Sequence, residues 1–132
     1  MYFVYQRLWV RRMIEITEPL EESQIGYVTK HNLNIDGKYA GRIEVGYMTK
    51  SDVKSFKKYA KRKVKEGQPF GVQIFIDSIK GKSVQDLGKE KLIEILQAAK
   101  SKFSRLEARD INIIEIDKDG NKVIIGKGSA YE

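Results

Sequence analysis

Residues 49–67, TKSDVKSFKKYAKRKVKEG, decide how the chain is read, because they form one predicted helix with two faces of opposite chemistry. Val53, Phe56, Ala60 and Val64 recur at the three-and-four spacing that lines side chains along one side of an α-helix. Lys54, Lys58, Lys61 and Lys65 recur at the same spacing on a neighbouring face, flanked by Lys57 and Arg62. Thr49 supplies the cap, Asp52 returns the bond three residues later, and Gly67 ends the helix. Like charges four residues apart disfavour a helix by about 0.2–0.5 kcal/mol per pair. A packing helix needs the apolar stripe but not the cations, so the lysine row points to a bound polyanion. A solvated lysine face is the ordinary alternative.

Strands are expected on both sides of this helix. Upstream, Ile25, Tyr27, Thr29, His31 and Leu33 alternate, as do Tyr39, Gly41, Ile43, Val45 and Tyr47, which predicts a hairpin over residues 24–48. A two-residue Asp36-Gly37 turn in a plain ladder would put the two apolar sets on different faces. A three-residue loop, Ile35-Asp36-Gly37, pairs Leu33 with Tyr39 and gives one buried face, so that register is expected. It sets Lys30 opposite Arg42, two cations whose repulsion again suggests an anion. Downstream, Phe70, Val72, Ile74 and Ile76 share one face of a strand over Pro69–Asp77. A second helix is expected from Ser83 to about Phe103, with Leu92, Ile95, Leu96, Ala99 and Phe103 facing the core and Gly88 weakening its start. A last hairpin turns at Asp119-Gly120 and pairs Ile114 and Ile116 with Ile125 and Val123.

The predicted class is α+β, one domain over residues 1–132, a mixed sheet with two amphipathic helices on one face. Both helices are expected to cross over between parallel strands. Residues 1–12, MYFVYQRLWVRR, fit an edge strand or an arm ahead of Met13, and residues 127–132 a loose tail. Trp9 among Arg7, Arg11 and Arg12 is a candidate stacking ring in a basic setting, with a core tryptophan as its ordinary reading.

The 132 residues carry 25 Lys and Arg against 18 Asp and Glu, a formal net charge of +7 that favours an anionic partner. With no cysteine, disulfides, thiolate metal sites and cysteine nucleophiles are excluded. No apolar run reaches membrane-spanning length, so no membrane partner and a cytoplasmic setting are expected.

Several motifs fall short of the chemistry they imitate. Gly81-Lys82-Ser83 sits where a phosphate loop would, but Ile76 occupies the place of its leading glycine. Lys80 and Lys82 at a helix start remain candidates for one backbone phosphate. Asp117, Asp119 and Asn121 open like a calcium loop, yet Lys122 and Gly128 stand where glycine and the closing carboxylate belong. His31, the only histidine, has no motif partner and reads as structural. Tyr59 is a candidate nucleophile that lacks a pair of metal-binding histidines.

Gly41-Arg42-Ile43-Glu44-Val45-Gly46, followed by a helix and a strand, resembles part of the PD-(D/E)xK nuclease core, over about residues 32–77. Gly46 stands where that core has its lysine, and the amides Asn32 and Asn34 where it has an acid. The resemblance therefore implies a DNA-binding relative that does not cut. The isoleucine-, lysine- and tyrosine-rich, cysteine-free composition, with the lysine row and the tyrosine-bearing hairpin, also resembles small single-stranded-DNA-binding proteins of archaeal rod-shaped viruses. That likeness implies a basic trough for a single strand and a host cytoplasm.

The expected function is non-catalytic, largely sequence-independent binding of nucleic acid, with single-stranded DNA favoured, by a homodimer with neither cofactor nor metal. Lys54, Lys57, Lys58, Lys61, Arg62 and Lys65 would carry it, with Lys30, Arg42, Lys80, Lys82, Arg11, Arg12 and Trp9 as outlying contacts. The rivals are a metal-dependent nuclease built on Glu44 with Asp36, and a viral or host module binding an acidic protein surface.

Overall fold

The computed structural model describes residues 14–20, 27–60, 63–77, 84–103 and 106–131. They build a six-stranded mixed sheet with two helices, an α+β fold. The strands lie side by side in chain order: β1 (Ile14–Ile16), β2 (Val28–Ile35), β3 (Lys38–Tyr47), β4 (Pro69–Asp77), β5 (Ile111–Ile116) and β6 (Lys122–Lys127). Every neighbouring pair is antiparallel except β4 and β5. That parallel pair needs a crossover, and helix α2 (Val84–Lys102) supplies it.

Helix α1 (Lys50–Ser55) is not the second crossover that the sequence suggests, because the strands it joins, β3 and β4, run antiparallel. Residues 49–66 are instead an excursion from a β-hairpin. Its base is closed by the Gly67 amide on the Met48 carbonyl at 2.8 Å and the Met48 amide on the Gln68 carbonyl at 2.9 Å.

The pairing fixes two faces. Leu33, Ile43, Val45, Val72, Ile74, Ile76, Ile111 and Ile113 are buried on one of them. α2 covers that face with Leu92, Ile95, Leu96 and Ala99, and Phe103 follows at its end. Gly88, at φ 77°, breaks α2 after its first turn, so the weakening expected from this glycine is a kink. Ser83, the expected cap, lies outside the described residues; the Val84 amide donates instead to Glu115 Oε1 at 2.9 Å. His31 is structural, as its isolation suggests. Its Nδ1 lies 2.7 Å from the Thr17 carbonyl, which can only accept, so that nitrogen carries the proton. Nε2 lies 3.0 Å from Thr29 Oγ1, and the ring packs edge-on against Phe103.

Both hairpins depart from the expected registers, in opposite directions. Asp36 and Gly37 both have positive φ, 53° and 79°, and make the two-residue turn that simple alternation disfavours. Ile35 pairs with Lys38 and Asn34 with Tyr39, then Leu33 pairs with Gly41, leaving Ala40 as an extra residue on β3. This bulge returns Ile43 and Val45 to the face of His31 and Leu33, so one buried face is recovered by a different device. It also moves Lys30 opposite Glu44, and Arg42 opposite Asn32, so the two cations do not face each other. In the last hairpin Asp117 Oδ1 accepts from the amides of Asp119 and Asn121, both at 2.9 Å. The Asp117 amide bonds the Asn121 carbonyl, so the loop holds three residues rather than two. Ile116 consequently faces Lys122 and Ile114 faces Ile124. The ladder slips beyond them, pairing Ile113 with Gly126 and leaving Ile125 extra. The expected loose tail is ordered as far as residue 131: Lys127 ends β6, and Gly128–Tyr131 form a 3-10 turn with Gly128 buried.

Candidate nucleic-acid interface

The basic excursion is built on a short α-turn and a wide one. Thr49 caps α1 as its sequence predicts: Thr49 Oγ1 accepts from the Asp52 amide at 3.1 Å, and Asp52 Oδ2 accepts from the Thr49 amide at 2.9 Å. The helix is far shorter than the expected run to Gly67. After Ser55 the chain enters a π turn, Phe56–Ala60, and residues 63–65 are outside any helix. A π turn bonds five residues apart, so lysines four apart no longer stack along it. The straight row Lys54–Lys58–Lys61–Lys65 is therefore not what the fold presents, since Lys65 lies beyond the helix.

The apolar stripe also changes its meaning. No residue of α1 is fully buried, and Phe56 is half-buried, while Val64, past the π turn, is buried. Phe56 meets Phe70 edge to face, with ring centroids 5.9 Å apart. Phe70 itself leaves the alternation expected of β4. Tyr47 pairs with Pro69 and Gly46 with Gly71, so Phe70 is the extra residue of a bulge. Its ring lies 3.9 Å from where a Cβ on Gly46 would stand, toward the face not covered by α2. The excursion is thus attached to the end of the sheet face opposite α2 by two rings.

What the excursion presents is charge. Residues 49–66 hold eight cations and two acids, and one of the acids, Asp52, is engaged in the cap. Lys54, Lys57, Lys58 and Lys65 are all exposed, as are Lys50 and Lys63, which the helical spacing passes over. A plain charge count across the stretch, ignoring periodicity, finds both. Lys61, Arg62, Lys80, Lys82, Arg11, Arg12 and Trp9 lie outside the described residues.

Lys30 and Arg42 stand on the face opposite α2 and share an acid. Glu44 lies 3.6 Å from Lys30 Nζ and 3.9 Å from Arg42 Nε. Their mutual repulsion is replaced by this three-member cluster, so they give no separate indication of an anion. The Arg42 guanidinium also lies over the ring of Phe75 at 4.8 Å, with Lys122 Nζ over the same ring at 5.2 Å. Lys122 is a partner that the sequence does not flag.

The acids proposed for metal chemistry are far apart. Asp36 occupies the tip of the β2–β3 turn, and Glu44 lies six residues along β3 from Lys38, about 20 Å away at the rise of a strand. Gly46 faces Gly71 across the ladder, and the Asn34 side-chain amide donates to Glu15 Oε1 at 3.0 Å. Among the described residues, no three acids or histidines converge as a metal site, and no helix is long and apolar enough to cross a membrane. Comparison with known proteins gives no matching family model, no matching curated relative and no matching solved structure.

Proposed function

We propose that this protein is a non-catalytic nucleic-acid-binding protein that holds a single strand through the basic excursion at residues 49–66. One observation carries the reading: a connection between adjacent antiparallel strands is lengthened to eighteen residues, Thr49 to Glu66, and loaded with eight cations against two acids. Two residues would suffice to join such strands, and long insertions of this kind are characteristically functional. The described lysines of the excursion, Lys50, Lys54, Lys57, Lys58, Lys63 and Lys65, add nothing to the core, because they are exposed and α1 buries none of its side chains fully. Lysines of this density neutralise phosphates and release counterions, without reading bases.

A single strand suits the excursion better than a duplex. α1 spans six residues before the π turn and is tethered at its base, so it offers no long helix to lay in a major groove. A flexible strand follows a short, curved basic surface more readily than a rigid one. This is also the role implied by the likeness to viral single-stranded-DNA-binding proteins. Anisotropy titrations with single- and double-stranded oligonucleotides of mixed sequence test it. Tighter binding of the single strand, weakening steeply with salt, is expected; no binding of either at low salt would end the proposal.

A further inference from the structure

Among the described residues β6 is an edge strand, and it carries three consecutive exposed aliphatic side chains. Val123 is 46% exposed, Ile124 69% and Ile125 39%. Edge strands are usually protected from pairing by charge, because their outward amides and carbonyls accept any strand of suitable shape. Here the lysines stand only at the two ends, Lys122 and Lys127, and the apolar residues fill the middle. The bulge in the β5–β6 ladder sets the extra Ile125 beside Ile124, which adds to the apolar surface on that edge.

We infer that a second copy of this chain occupies the edge, by antiparallel pairing of β6 with β6 about a two-fold axis. The register follows from charge. Pairing Ile124 with Ile125 of the second copy would set Lys122 directly opposite its Lys127, and like charges across a ladder repel. Moving by one residue places the axis at Ile124. Each Ile124 then faces the Ile124 of the other copy, and each Val123 faces Ile125. Lys122 faces Gly126. Lys127 faces Asn121, so no cation meets a cation at either end of the contact. With Ile124, the most exposed of the three, on the axis, the strand sets no like charges opposite each other, whereas the register that pairs Ile124 with Ile125 does. A six-residue strand gives a contact about 20 Å long.

The pairing makes one sheet of twelve strands. A two-fold axis perpendicular to that sheet keeps both α2 helices on one side and both faces opposite α2 on the other. Ile114 and Phe75, which follow Ile124 in successive strands, are buried, so the exposed apolar surface is confined to β6 itself. The assembly does not depend on nucleic acid.

The test uses the full chain without nucleic acid. Light scattering at micromolar concentration and high salt is expected to give the mass of two chains, and Ile124→Lys the mass of one, with the far-ultraviolet dichroism of the native fold. Because the chain has no cysteine, Ile124→Cys introduces a unique thiol. In the two-fold register its two copies face each other and should form an intermolecular disulfide rapidly under mild oxidation. Gln97→Cys, on the exposed side of α2, should not. A one-chain mass for the unaltered protein overturns the inference. So does a two-chain mass that survives Ile124→Lys, or an Ile124→Cys protein that crosslinks no faster than Gln97→Cys.

Discussion

Gly41 has no room for a side chain. A Cβ at this position would stand 1.9 Å from the carbonyl oxygen of Phe75, so β3 and β4 approach each other there by backbone alone. Gly71 lies in the same pair of strands with nothing within 4 Å of its Cβ position. Gly41→Ala is therefore expected to cost about 3 kcal/mol in urea unfolding, as overpacking against backbone does, while Gly71→Ala stays close to neutral. Equal effects of the two would mean that the strands do not meet as described. Tyr39 adds a pH dependence at the same end of the sheet. Burial pushes its hydroxyl pKa up, the Asp77 carboxylate pushes it further up, and Arg42 pulls it down. The folded value stands above the unfolded one, so its contribution is complete below the ordinary tyrosine range. It is lost as pH rises through the raised value, because the unfolded chain ionises first. The stability difference between the unaltered protein and Tyr39→Phe should hold constant through neutral pH and shrink above it. A difference that grows with pH would reverse the sign of the coupling.

The basic excursion is held at its base by backbone bonds from Met48 and along its length by the contact of Phe56 with Phe70. Removing that contact should leave the sheet intact, since α1 buries no residue fully. Phe56→Ala is expected to lower global stability by about 1 kcal/mol, the scale of one aromatic pair. Amide exchange should accelerate over residues 50–58 far more than over β2–β5. Uniform acceleration would show that the excursion belongs to the core. The strands and α2 were legible in the sequence because their apolar residues recur at periods of two and of three and four, and burial enforces those periods. The lengths of α1 and the hairpin loops were not. A cap is encoded locally by Thr49 and Asp52, but nothing in the spacing of Val53, Phe56 and Val64 signals a π turn between them. The two hairpins fail for a related reason: one extra residue at Ala40 or Ile125 undoes the parity on which a register argument rests. The side chain of Asp117 widens its turn by binding two amides, which the Asp119-Gly120 pair does not disclose.

At the scale of the molecule, charge is distributed unevenly over the fold. The face opposite α2 balances Lys30 and Arg42 against Glu44, whereas the excursion gathers eight cations with a single acid outside its cap. The gathering of cations was legible as composition and not as a helical row, because a row assumes one continuous α-helix and the π turn interrupts it. Exposed Lys54, Lys57 and Lys63 sit on three successive parts of the excursion, the α-turn, the π turn and the chain beyond it. If a nucleic-acid backbone follows the whole stretch, each contributes its own phosphate contact. The most direct test is the affinity for a single-stranded oligonucleotide, measured across a range of salt concentrations, for the unaltered protein and for the triple variant Lys54→Ala, Lys57→Ala, Lys63→Ala. The slope of log affinity against log salt should flatten by about 2, close to 0.7 for each lost contact, with unfolding unchanged. An unaltered slope and affinity in the folded triple variant would contradict a phosphate-binding role for the excursion.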